Sequence, residues 1–340
     1  MEVNVAITNE KPNHTRPSAN YHPSVWGEHF LAYASDSKDN IITLEEREHG
    51  VLKEEVRKML IGTPDTCKQK LDLIDSIQRL GVSYHFTNEI EASLQYIYNS
   101  FQKFILENGN DLHAVALGFR LLRQHGRYVS CDVFNKFKNF QGTFEESEYV
   151  VRNVRELLSL YEAANFGVGG ETILDEALIF TTNQLESLSV SANLMSNYSL
   201  AAQVNQALKF PIQKTLPRLG AKQFISLYHQ DKLHDAVLLN FAKLDFNLVQ
   251  KKHQKELCAL TEWWRSIDCP KNLPFARDRL VECYFWIMNV YFEPHYSLAR
   301  TILAKVITMI SIVDDIYDVY GTLDELALLT DAIESRILVP

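Results

Sequence analysis

Five residues, Asp314-Asp315-Ile316-Tyr317-Asp318, close an apolar run from Thr301 to Val313 in which Lys305 is the only charge. A helix that is apolar nearly all round is a buried helix. At about 100° per residue, Asp314 and Asp318 fall one turn apart on a face that continues back through Ile310, Ile307 and Leu303. Two carboxylates on such a core-facing stripe, close to the negative end of a helix, are unfavourable unless a cation offsets them. A hard divalent cation such as magnesium takes oxygen ligands and is commonly held by one or two carboxylates together with substrate phosphates. The competing reading is that the helix surfaces at Asp314 and its acids are simply solvated.

A second feature lies upstream. After the breaks at Pro270 and Pro274, Arg277-Asp278-Arg279 leads into a helix carrying Cys283, Tyr284, Phe285 and Trp286. Guanidinium groups grip phosphate oxygens through paired hydrogen bonds, and aromatic faces attract cations. Singly, each arginine would more often be a surface ion-pair residue. Combined with the acidic run, they suit one chemistry: drawing a diphosphate off an allylic carbon and sheltering the carbocation left behind.

The elements that must position these groups read as helices throughout. Thr43 and Glu46 have capping-box spacing, and Leu52, Val56, Met59 and Leu60 then form one face before Gly62 and Pro64. Leu71, Ile74 and Ile77 precede Gly81; Ile90, Leu94, Ile97 and Phe101 follow; Asp111 opens a segment that closes at Gly126. Thr143 and Glu146 predict a second capping box ahead of Val151, Val154, Leu158 and Tyr161. Leu239, Ala242, Phe246 and Val249 mark one helix, followed by another ending near Trp263-Trp264. No stretch alternates with period two between hairpin turns, so the fold class is all-α. The glycines of residues 166–170 make a helix connection and not a phosphate loop, because no strand precedes them and no Lys-Ser/Thr follows.

At 340 residues the chain suffices for about two domains. The polar patch His229–His234 is the best boundary, giving an extended arm over 1–40, a helical domain over 41–230 and a metal-binding domain over 231–340. The arm carries Pro12, Pro17 and Pro23, yet its Tyr21, Val25, Trp26 and Phe30 call for a surface on which to dock. A net charge of −9 argues against nucleic acid as partner. Five scattered cysteines form no CxxC pair, and eleven histidines show no ligand spacing, so each histidine reads as a surface or satisfied core residue. The N-terminus has no apolar stretch of signal length and is not Arg-rich, and the longest apolar runs are interrupted short of a membrane span. A cytoplasmic monomer is expected.

With these residues in view, the sequence resembles the plant terpene synthases, and within them the cytosolic sesquiterpene type. The likeness runs through Arg16-Pro17 with Trp26, Leu122–Gly126 (LRQHG), Phe241–Asn247 (FAKLDFN), Ala276–Arg279, Val281–Trp286, Tyr291–Pro294 (YFEP) and Asp314–Asp318. It implies a catalytically silent helical barrel followed by the first part of an α-helical class I terpenoid synthase domain. It implies that Asp314 and Asp318 bind magnesium, or manganese in its place, with Asp315 supporting them. Arg277 and Arg279 would hold the departing diphosphate, Trp286 would be a pocket wall, and the arm would close over the mouth. The implied reaction is ionisation of farnesyl diphosphate and cyclisation of the cation.

One departure tempers this expectation. The family's second metal motif, of the form N/D-D-x-x-S/T-x-x-x-E, has no counterpart before Pro340, so the sequence reads as C-terminally truncated, with impaired activity and apolar helix faces prone to aggregation. The rivals are a monoterpene synthase using geranyl diphosphate and a catalytically inactive helical binding module or decoy.

Overall fold

Glu46 N–H donates to Thr43 Oγ1 at 3.1 Å, and Thr43 N–H donates back to Glu46 Oε2 at 2.8 Å, so the first helix opens on the capping box expected of it. The computed structural model describes residues 19, 21–34, 43–65, 68–144, 153–189 and 198–337. Arg16, Pro17, Cys67 and Glu146, with the second capping box expected at Glu146, lie outside them. All regular structure among the described residues is helical, as expected.

The chain divides into two units, one comprising Asn40–Gln250 and the other Met1–Asp39 with Lys251–Pro340. The polar patch at 229–234 coincides with the end of a helix at Gln230, whereas the division lies twenty residues further on, inside the next helix.

The Asn40–Gln250 unit contains α1 (Leu44–Gly62), α2 (Lys68–Arg79), α3 (Thr87–Asn99), α4 (Phe101–Asn108), α5 (Leu112–Gln124), α6 (Val154–Ala164), α7 (Thr172–Ser189), α8 (Tyr198–Lys209), α9 (Pro217–Gln230) and the first half of α10 (Ala236–Ser266). Its centre is α5, buried continuously from Leu112 to Leu122 and packed between α2 and α6. Asp111 caps it by accepting from Ala114 N–H at 2.9 Å, and Gly126 (φ +72°) ends it in the left-handed region that favours glycine. Asn153 opens α6, accepting from Arg155 N–H at 3.0 Å.

The LRQHG block has a structural reason. Arg123 Nη2 and Nη1 grip Glu171 Oε1 and Oε2 at 2.6 and 3.0 Å, and the same guanidinium donates to Val129 O and Phe166 O. The glycine-bearing connection at 166–170 is thus pinned at both ends, with Val168 N–H donating to Glu171.

In the second unit α10 continues to Ser266, followed by a single helical turn (Cys269–Asn272), α11 (Leu280–Val290), α12 (Ser297–Asp315), a π-helical turn (Ile316–Tyr320) and α13 (Leu323–Ile337). The two helices expected around Val249 and Trp263 are one, because no proline or glycine interrupts residues 236–266. Its core is Leu257, Leu260, Trp264, Leu280, Tyr284, Ala304 and Ile312.

Arg300 organises this unit. Fully buried, it donates from Nε and Nη2 to Glu256 at 2.9 and 2.7 Å, and from Nη1 to the carbonyls of Tyr291 and Glu293. Tyr284 O–H completes the Glu256 shell at 2.7 Å. Burial pushes the Glu256 carboxyl up, but its hydrogen bonds from Arg300, Ser297 and Tyr284 hold it below the usual range. The YFEP backbone is consumed by this network: His253 Nε2 also meets Phe292 O, and Lys252 donates to Pro294 O.

One expectation about α12 is corrected. Its buried face is Arg300, Ala304, Thr308, Ile312 and Asp315, while Leu303 and Ile310 are exposed and Ile307 half-buried. The buried seam is set by the arginine network and by small residues that admit α11, not by the most apolar stripe. By length and composition alone, Pro294–Tyr320 would suffice to cross a bilayer, its most apolar 18 residues having a mean hydropathy of 1.5 with 22% of them buried, but its apolar runs are interrupted at Arg300, Lys305 and Asp314.

Candidate active site

The acidic run sits where α12 changes its winding. Asp314 and Asp315 end the α-helix and Asp318 lies within the π turn, so Asp314 and Asp318 are not related by a regular α-helical turn. Their environments differ. Asp315 is fully buried; Asp314, with 57% of its side chain exposed, and Asp318 face solvent. The solvated reading therefore describes two of the acids, and the desolvated one is the residue expected only to support them.

Asp315 is tolerable in the core because it anchors the arginine loop. Arg277 N–H donates to Asp315 Oδ2 at 2.7 Å, and the Arg277 side chain forms an ion pair with Oδ1 of the same group. Arg277 Nη2 also reaches Asp314 Oδ2 at 3.1 Å. Those hydrogen bonds raise the guanidinium's already high pKa, Asp315 contributing most, so it is a permanent cation. Its Nε is buried without a hydrogen-bond partner.

Aromatic contacts brace the same junction. Phe275, two residues before Arg277, stacks on Tyr320 at the end of the π turn, with ring centroids 3.6 Å apart and planes 6° apart. Tyr21 of the arm places its ring 4.9 Å from the Arg277 guanidinium carbon. The arm docks, as its aromatics require: Trp26 Nε1 donates to Glu282 Oε1 at 3.3 Å, and Phe30 packs on the core of this unit.

Of the residues expected at the site, Arg277, Asp314 and Asp315 are brought together. Asp318 is one turn on. Arg279 is half-buried at the start of α11 and, among the described residues, forms no ion pair with the three aspartates. Trp286 is 49% exposed on α11, which packs against α12. Phe275 and Tyr320 were missed, since two single aromatics 45 residues apart give no spacing signal.

The donor set fits a magnesium ion as part of a site. Asp314 and Asp318 offer solvent-facing carboxylates, matching an ion that keeps several waters and takes one or two carboxylates plus phosphate oxygens. A cavity of about 790 Å³ in the Asn40–Gln250 unit competes poorly as a site, because most of its charges, Asp75, Arg79, Arg120 and Glu162 together with Asp72 and Arg155, neutralise one another in ion pairs.

Residues 25–208 match the family described as terpene synthase, N-terminal domain, and residues 265–336 the terpene synthase family metal binding domain. The chain is 53% identical to (−)-germacrene D synthase of Vitis vinifera over 326 residues, which cover 96% of this chain and 57% of that protein. It is 54% identical to (E)-beta-caryophyllene synthase of Origanum vulgare over 318 residues, covering 94% and 56%. Isoprene synthase from grey poplar leaves (Populus x canescens), in complex with three Mg2+ ions and dimethylallyl-S-thiolodiphosphate, superposes with a TM-score of 0.75 at 39% identity, covering 87% of this chain and 56% of that one. The chain spans just over half the length of these relatives. With both domain families matched and the acidic run seated against the arginine loop, the chain belongs to the terpene synthase family.

Proposed function

We propose that these residues form the ionising part of a sesquiterpene synthase site, acting on farnesyl diphosphate with magnesium. The observation that carries the reading is Arg277 held between Asp314 and Asp315, which puts a phosphate-gripping cation within one hydrogen bond of Asp314, one of the two carboxylates assigned to the metal. The germacrene D and caryophyllene synthases at 53% and 54% identity favour the fifteen-carbon substrate.

In this account Asp314 and Asp318 hold magnesium, which when bound supplies Lewis-acid charge to the diphosphate. Asp315 keeps the arginine loop in register. Arg277 gives up Asp314 for the diphosphate, exchanging one charge-assisted pair for another, and Arg279 adds a second cation beside it. The stripe of exposed Ile310 and Leu303 with half-buried Ile307 between them, leading back from Asp314, offers the prenyl chain an apolar wall, and Trp286 offers the cation an aromatic face. The docked arm helps exclude water from the site.

The test is hydrocarbon formation from farnesyl and geranyl diphosphate by the 340-residue chain with and without magnesium. Two carboxylates make a sparse metal cage, so slow turnover with preference for the farnesyl substrate is expected. Faster turnover of geranyl diphosphate would move the monoterpene reading ahead. Absence of both turnover and magnesium-dependent binding of a farnesyl diphosphate analogue would leave the inactive binding module.

A further inference from the structure

Outside the acidic run, three elements far apart in sequence converge on one carboxylate. Asp245, on α10, is 2% exposed, and its Oδ1 meets His49 Nε2 of α1 at 3.0 Å, His85 Nε2 at 2.8 Å and the Tyr84 hydroxyl at 2.7 Å. Tyr84 and His85 belong to a short 3-10 turn, Ser83–His85. The other carboxylate oxygen, Oδ2, is buried without a hydrogen-bond partner. Two imidazole nitrogens and a phenol crowd one oxygen while its twin is left bare, which is an inefficient way to satisfy a buried carboxylate with protons alone.

We propose that His49, His85 and Asp245 form a binding site for a divalent transition ion of the zinc class. The three ligand atoms lie within 4.8 Å of one another. Two imidazoles and a carboxylate suit zinc and are a poor set for magnesium. In a tetrahedral zinc site, neighbouring ligand atoms stand about 3.3 Å apart, so the observed 2.8 and 3.0 Å separations need to open by only a few tenths of an ångström.

Binding requires each ring to carry its single proton on Nδ1, so that the Nε2 proton now given to Asp245 leaves that nitrogen and its lone pair turns to the ion. The fourth position falls to the Tyr84 hydroxyl or a water. Both histidine side chains are 16% exposed, which leaves a route for entry. The His49 and His85 rings are wedged against Phe241, 5.0 and 5.4 Å between centroids, which fixes their direction. Arg218, whose charge acts on Asp245, opposes a cation; its guanidinium is engaged with Phe246, donating to that carbonyl at 2.9 Å and lying 3.9 Å from the ring centroid. Such an ion would staple α1, the Ser83–His85 turn and α10.

The experiment uses the 340-residue chain carrying Asp314→Asn and Asp318→Asn, so that the acidic run cannot account for bound metal. After chelator treatment, zinc is titrated calorimetrically and cobalt(II) followed by visible absorption. The expected result is one equivalent of zinc, intense cobalt bands of a four-coordinate site that zinc displaces, and a melting temperature raised by roughly 5 °C at hundredfold excess over Kd. His49→Gln with His85→Gln is expected to abolish all three. Absence of retained zinc and of cobalt bands overturns the proposal without reference to any histidine variant, as does binding that survives loss of both imidazoles.

Discussion

Arg277 is tied to Asp315 twice, by its main-chain N–H at 2.7 Å and by its side chain. The two ties separate under mutation. Arg277→Ala keeps the main-chain bond and hence the loop; Asp315→Ala loses both and leaves the loop without its anchor.

Arg277→Ala is therefore expected to leave the helical circular dichroism unchanged while weakening binding of a farnesyl diphosphate analogue by roughly tenfold to a hundredfold, the range of a charge-assisted hydrogen bond. Magnesium alone should bind the variant several-fold more tightly, because Asp314 is relieved of a competing cation. Asp315→Ala should lose analogue binding together with several degrees of melting temperature. Calorimetric titration of each variant with magnesium and with analogue checks both halves.

The buried pair Glu256–Arg300 seats α12, and removing one partner strands a charge in the core. Arg300→Met is expected to cost about 3–5 kcal/mol, whereas Arg300→Met with Glu256→Leu should cost less than either single change. Urea denaturation of the two single variants and the double variant measures this. A double variant as unstable as the sum would contradict it.

Glu171 supplies a pH dependence of known sign. Its carboxyl is held at about 2, first by the hydrogen bonds from Arg123, with burial opposing and with Val168 N–H and Tyr128 O–H adding to the effect. An unfolded glutamate titrates near 4.5, so the native state prefers the ionised form. That preference is fully present above pH 4.5 and is lost as pH falls towards 2, and it amounts to roughly 3 kcal/mol. The stability gap between the unmodified chain and Glu171→Gln should shrink over that window. Asp75 and Asp245, also held at about 2, act in the same range, so the variant retains part of the slope.

The sequence made local features legible. The Thr43 cap, the Asp111 cap and the Gly126 stop follow from short-range chemistry, while the pairing of Arg277 with the acidic run 37 residues on was expected only from the chemistry the two would share. What it misjudged depends on partners distant in the chain. The face of α12 that is most apolar is not the face that is buried, because Arg300 commits the helix to Glu256 and to the YFEP carbonyls. The π turn that shifts Asp318 has no composition signal. His49, His85 and Asp245 are separated by 36 and 160 residues, beyond any ligand-spacing rule, and only the fold brings them together.

The most direct measurement is calorimetric titration of the 340-residue chain with an unreactive farnesyl thiolodiphosphate, with and without magnesium, beside Asp314→Asn/Asp318→Asn. Binding that requires magnesium and is lost in the double variant is the predicted result. Binding of equal strength without magnesium, or undiminished in the double variant, would contradict the assignment of Asp314 and Asp318 as the metal-holding pair.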